Sequence, residues 1–564
     1  MKIDHFIKKY GSILLFAVCI VAFWQLAFLQ NGMKWDFVDA YLPARYFFSE
    51  AVLNNTFPFW NPYMLYGVPF YADLVSVFNP EFWLVANMFG YSNITLQYVF
   101  LAYVFLAGVN FRYFLQRFQV NEPLALSLAI AYMLSGFTVG NAQHLGFIAG
   151  YALLPLVVAT YEQFARQPET RSLARLSLVF LLMVFSSYPG ITIILSYLLL
   201  GIFIYYLVLS IKKKERVKRF LAFHLILASV VLVGTSVLLL AYSQAQPYLS
   251  RYSGLTLEAV LRHPFTLRSF WSFLFPYTTT TDVAFFNTDP SMSNAYFGLF
   301  SLLFLIHAFT NKVKQKIGII FLLFAVFALL TALGNQFFLR EFLYDYFPFM
   351  NMFKYPSIFR ALSIFGFLVY AGLNCSIDDF LSLSKKRLLV IIALVILFIL
   401  FVVVRSVGKL ESVVLYDFDL SLAERLQKTT INEAAVLQGI IHLLLLGCFF
   451  LVLAFGQKQK YLPAIVVILF ALDGIISTQL NLHYTVVNDI DPVEFKAYLD
   501  SEPKGFPIPG LHPIGENSDN NASNKFVWRN NNVFPKRPTF DGLVSFKTDG
   551  YKRLSDDFPE LMEA

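Results

Sequence analysis

Apolar runs dominate the chain, at 11–30, 94–115, 124–142, 147–164, 173–187, 190–211, 219–242, 295–310, 316–334, 357–374, 387–405, 433–455 and 461–479. Most have the length needed to cross a hydrocarbon core about 30 Å thick, so the pattern predicts an all-α polytopic membrane protein of about 13 transmembrane helices. The polar intervals alternate in character. Those after the even-numbered spans are short and basic. They hold Arg112 and Arg117, then Arg166, Arg171 and Arg175, then Lys212-Lys213-Lys214-Glu215-Arg216 with Lys218 and Arg219. Lys312, Lys314 and Lys316, Lys385-Lys386-Arg387, and Lys458 with Lys460 follow. With the N-terminus in the cytoplasm, every one of these loops lands on the cytoplasmic side, as the positive-inside rule requires. The long polar segments 31–93, 243–294, 335–356, 406–432 and 480–564 then all lie outside, so function is expected on the extracytoplasmic face. The organisation expected is a transmembrane domain over 1–479, with large outer loops at 31–93 and 243–294, and a small extracytoplasmic C-terminal extension over 480–564.

Composition agrees with this pattern. Hydrophobic residues make up 57% of the 564 positions and charged residues 14%, against about 25% charged in soluble domains. The net charge of +7 sits in the short loops, where it sets orientation and meets anionic lipid, and so is no sign of a nucleic-acid partner. Cys19, Cys375 and Cys448 all fall in apolar runs and read as buried small apolar residues. Lys2, Lys8 and Lys9 precede an apolar stretch with no small-x-small site after it, which reads as a retained first helix.

The first outer loop carries the chemistry. Asp36 and Asp39 lie within about ten residues of the first span's end, ahead of an aromatic, proline-bearing stretch. Tyr41–Leu53 and Asp73–Met88 read as helices lying in the membrane interface, with Trp60 and Trp83 at headgroup level; an aromatic belt that only anchors the chain fits the same composition. No phosphate-cradling glycine loop, zinc spacing or Ser/His/Asp elbow occurs. That leaves carboxylate and cation chemistry. A carboxylate at the membrane surface can take the proton of an attacking hydroxyl while the donor's tail stays in the bilayer. Arg360, Arg45 and Lys354 are candidates to face a lipid phosphate. Asp36 as a cap for the helix beginning near Phe37, and Arg360 as a snorkelling helix-end residue, are the structural alternatives. His144, with Asn141 and Gln143, stands at the outer ends of spans three and four. Asp473 lies inside span thirteen, where a carboxylate is costly and serves either an internal hydrogen bond or a site. Asp417, Asp419 and Glu424 belong to a weakly amphipathic helix in the fourth outer loop, and the extension reads as folded with some strand character.

Asp36, Tyr41 and Pro43 form a DxxxxYxP spacing directly after the first span, followed by PFWNPYMLYGVPFYA and NPEFWL. With AYMLSGF at 131–137, HLGFIAGYALLPL at 144–156, FKYPSIFRAL at 353–362 and LFALDGIISTQLNLHYTV at 469–486, the chain resembles the YfhO-like family of bacterial membrane proteins, within the GT-C class of lipid-linked-sugar glycosyltransferases. The resemblance implies a GT-C-like bundle whose first outer loop carries the essential acid. It also implies a polyprenyl-phosphate-linked sugar as donor and a cell-envelope glycan or polymer as acceptor. Asp36 matches the loop acid, and Asp39 stands where relatives often have glutamine. On this reading the protein is an inverting transferase. Asp36 is the base and Asp39 assists it or binds a divalent metal ion, the one cofactor considered. Tyr41, Arg45, His144, Lys354 and Arg360 contact substrate. The rival readings are a transporter or flippase of a lipid-linked glycan, and a non-catalytic scaffold for envelope assembly.

Overall fold

A computed structural model describes residues 2–72, 77–212, 217–249, 254–310, 315–377, 385–410, 413–417, 419–456, 461–505, 524–539, 542–544 and 547–559. Asp73, Arg251, the basic residues 213–216, Lys312, Lys314, Lys458 and Lys460 lie outside the described residues.

The protein is an α-helical membrane bundle. Every one of the thirteen apolar runs is helical, and among the described residues ten helices are long and apolar enough to cross a membrane. The runs at 173–187, 295–310 and 316–334 form the shorter helices Thr170–Ser186, Leu299–Thr310 and Lys316–Ala332. The 12 residues of Leu299–Thr310 rise only about 18 Å, short of a bilayer core. Helix starts follow local chemistry. Ser92 and Asn121 accept from the Thr95 and Leu124 amides at the heads of Asn93–Arg117 and Glu122–Met133.

Glu122–Met133, Leu145–Arg166 and Arg360–Asn374 form the buried centre, with almost every residue enclosed. Without water to drive helices together, close backbone approach must do so. Gly366 supplies it, since a Cβ there would lie 2.6 Å from the Phe321 carbonyl and 2.7 Å from Ala325 Cβ on Lys316–Ala332. Pro155 sits inside Leu145–Arg166, as membrane helices allow.

The polar loops segregate to the two ends. At one, Arg112 bridges Glu122 at 3.0 Å and the Lys8 carbonyl at 3.0 Å, while Gln315 reaches the Phe118 carbonyl. At the other, four of the long segments touch one another. Gly32–Met33 pairs antiparallel with Val487–Asn488, Leu249 bridges Thr548, the Leu255 amide bonds the Asn351 carbonyl, and Arg360 holds the Met292 carbonyl.

Five expectations change. The Leu42–Leu53 helix is mostly buried instead of lying amphipathically on the membrane, because Tyr63, Phe70 and Phe82 of the same loop and Phe534 and Lys536 of the C-terminal extension pack over it. The second loop helix starts only at Pro80, where Asn79 caps it by accepting from the Glu81 amide. Described strand in the extension is confined to Val487–Asn488 and the Thr548 bridge; its principal elements are the helices Pro492–Ser501 and Asp549–Asp557. Cys19 and Cys375 are buried, but Cys448 is exposed on its helix, where lipid and not protein would meet a small apolar side chain. In the fourth outer loop, helix is limited to a turn at Val414–Tyr416 and to Leu422–Lys428.

Candidate active site at the loop-bearing end

The turn that carries Asp36 is built from two departures from regular backbone. Trp35 is left-handed, with φ 57°, a conformation a bulky residue adopts only when its surroundings impose it. Phe37–Tyr41 then forms a single wide π-turn in which the Leu42 amide reaches back to the Phe37 carbonyl. Such turns concentrate at functional sites. Pro43, with no N–H to return to Asp39, belongs to the same local logic. The Asp36 side chain makes no capping bond and stays 45% exposed, with Oδ2 3.6 Å from His144 Nδ1.

His144 arrives from the break between Gly136–Gly140 and Leu145–Arg166, and its side chain is 13% exposed. Asp289 comes from the second outer loop and is held by the Ser291 amide (2.8 Å) and hydroxyl (2.5 Å). Arg360 is fully buried beneath. It donates to the Met292 carbonyl at 2.6 Å and also to the Ser291 carbonyl and the Ser357 hydroxyl. Its guanidinium thus holds the loop bearing Asp289. Gly140 makes room, since a Cβ there would stand 3.1 Å from the Ser291 carbonyl. His263 and Tyr355, both left-handed, meet with ring centroids 5.6 Å apart and planes tilted by 37°, near Lys354.

Electrostatics follow from this packing. Burial pushes the Asp36 carboxyl above the ordinary carboxylate range; His144 pulls it down, and Asp39 and Asp289 push it further up. Burial lowers the His144 pKa, against the pull of Asp36 and Asp289. The result is a carboxylate poised to accept a proton and short of fixed donors. Among the described residues no three His, Cys, Asp or Glu side chains converge to hold a metal.

No family model and no curated protein matches the chain. Two solved structures of ArnT from Cupriavidus metallidurans are similar to it, one bound to undecaprenyl phosphate and one in the apo state. Each is 13% identical, with TM-scores of 0.49 and 0.48, over 98% of this chain and 89% of that one. Likeness of this order assigns no family and no residue, and the YfhO-like resemblance rests on the sequence motifs alone.

The structure brings Asp36 and His144 together and sets Lys354 beside His263; Arg360, expected to contact substrate, instead lies fully buried with its guanidinium spent on the Ser291 and Met292 carbonyls and the Ser357 hydroxyl. Tyr41 stays close, its ring under Arg45 and its hydroxyl 3.7 Å from where a Gly146 Cβ would lie. Arg45 and Asp39 are taken up by partners of their own. Arg45 is buried in a bidentate pair with Glu81 (3.1 and 3.3 Å) and lies over Phe82; burial lowers its pKa, but Glu81 and Tyr91 hold it raised. Asp39 is buried and accepts from the Trp528 amide at 2.7 Å. The buried Asn141 leaves its Oδ1 without a partner in the same region. Sequence reasoning did not assign Asp289 or His263 to a site. The Asp-Pro-Ser turn at 289–291 is a local signal for a cap, but nothing local shows that it faces Asp36.

Proposed function

We propose that the protein is a membrane glycosyltransferase that moves one sugar from a polyprenyl-phosphate-linked donor to a cell-envelope acceptor on the extracytoplasmic face. The observation that carries this reading is Asp36: a half-exposed carboxylate with a raised pKa, on a strained turn, 3.6 Å from a buried imidazole. It takes the proton of an acceptor hydroxyl as that oxygen attacks the anomeric carbon. The bond from the anomeric carbon to the phosphate oxygen breaks, and the polyprenyl phosphate leaves with the electron pair. Single displacement inverts the anomeric centre. His144 orients Asp36. Lys354 supplies positive charge opposite the phosphate, and the fully buried Arg360 holds the 291–292 carbonyls beneath the site. The YfhO-like and GT-C resemblance supports the same donor class. A flippase reading draws nothing from Asp473, whose oxygens are taken by Tyr296 and Leu299.

The test is transfer from a labelled polyprenyl-phosphate sugar pool in membranes holding wild type or Asp36→Asn at equal expression. Loss of transfer in the variant is expected; full activity there would sink the mechanism.

A further inference from the structure

The C-terminal extension returns across the whole chain to grip the segment that carries Asp36. Asp39 Oδ1 accepts from the Trp528 amide at 2.7 Å and the Arg529 amide at 3.4 Å. The Asp39 carbonyl, whose partner one helical turn on would be the N–H of Pro43, accepts from Asn530 Nδ2 at 2.6 Å. Asn530 is itself left-handed, with φ 62°, a conformation asparagine tolerates, and it exchanges bonds of 3.0 and 2.8 Å with Leu543. A second anchor lies about three helical turns along. Glu50 Oε2 accepts from Lys536 Nζ at 3.0 Å and the Gly505 amide at 3.0 Å, and both partners of the ion pair are buried, at 6% and 10% exposure. Between the anchors, Phe534 meets Tyr46 edge-on with centroids 5.2 Å apart. Behind Asp36, the Lys34 amide bonds the Val486 carbonyl beside the strand pair of 32–33 with 487–488.

We propose that the extension is a clamp on the first outer loop, and that Asp39 is a positioning residue which fixes the turn presenting Asp36, not a second base or metal ligand. As a statement about Asp36 in catalysis, it rests on the transferase reading. A base must have a free oxygen toward the substrate, whereas Asp39 is buried with Oδ1 spent on two backbone amides. Those bonds need an acceptor oxygen, which a neutral amide still offers. The charge on Asp39 has a separate effect. The groups facing Asp36 are His144, Asp39 and Asp289, and Asp39 is among those raising its pKa.

Three variants of the full-length protein decide this, each measured by tryptic cleavage at Lys525 and Arg529 in detergent and by transfer in membranes. Asp39→Ala should open the clamp, with cleavage about 10-fold faster or more and transfer falling. Asp39→Asn should stay within about 2-fold of wild-type cleavage and recover most of the transfer that alanine loses. Its acid limb should move to lower pH, because a negative neighbour of Asp36 is gone. Asn530→Ala leaves both carboxylates in place and should still speed cleavage, which keeps the test open if Asp39→Ala does not accumulate. Wild-type cleavage rates in Asp39→Ala and Asn530→Ala would overturn the clamp. So would an Asp39→Asn protein that stays protected but transfers nothing, since Asp39 would then act chemically. If wild type itself transfers nothing, the transferase reading falls, and the cleavage ratios still decide the docking.

Discussion

Two carboxylates in this protein occupy opposite environments, and the contrast separates structure from chemistry. Asp473 lies within the Leu462–Thr485 helix, in the bundle interior. Tyr296 donates its hydroxyl to Oδ1 at 2.5 Å, and the Leu299 amide donates to Oδ2 at 2.8 Å. That second bond caps the start of Leu299–Thr310 from a different helix, so the costly intramembrane carboxylate serves as tertiary glue. Asp36 lies at the loop-bearing end, half exposed, without a capping bond and beside a histidine too far away for a good hydrogen bond. A carboxylate with every oxygen satisfied holds the fold; one left short of donors is available to a substrate.

The comparison is broken first at Asp36. Asp36→Asn is expected to lower transfer by about 10²–10⁴-fold, the usual worth of a general base, with unchanged expression and thermal midpoint. A comparable loss of folded protein would place Asp36 with Asp473. Arg45→Ala tests a second charged group of the same loop: removing one partner of the buried Arg45–Glu81 pair is expected to cost about 3–5 kcal/mol of stability, read as a lowered unfolding midpoint. Asp473→Ala is expected to cost roughly 3 kcal/mol, because a buried amide and hydroxyl lose their charged acceptor. Transfer per folded molecule should survive that change, and its abolition would give Asp473 a role in the chemistry.

Smaller effects sharpen the contrast. In wild type, transfer should fall as pH drops through the Asp36 pKa, which burial holds above the usual carboxylate range. His144 favours the ionised form of Asp36, so His144→Gln should move that acid limb to higher pH, and a shift to lower pH would contradict the pairing. As a control far from both carboxylates, Asn121→Ala removes the cap on Glu122–Met133 and should cost about 1 kcal/mol, with transfer untouched.

Asp36 was legible as a candidate from its place just after a span and from the Tyr41–Pro43 spacing that follows it. His144 was legible as a polar residue at a helix end. Asp289 was not, since a turn-forming aspartate gives no local sign of what it faces. Asp39 and Arg45 misled for a related reason. A carboxylate or guanidinium beside a candidate base looks available until its partner is known, and those partners, Trp528 and Glu81, lie hundreds and tens of residues away.

Hydrophobic periodicity and length alone determined that this chain is a helical membrane protein, where its helices fall, and which loops are basic. Those properties follow from the transfer of apolar segments and the desolvation of charge, both written in local composition. Tertiary structure alone decided which charged groups were spent and which were left open. That depends on hydrogen-bond partners brought together from distant parts of the chain, and no window along the sequence contains both members of such a pair.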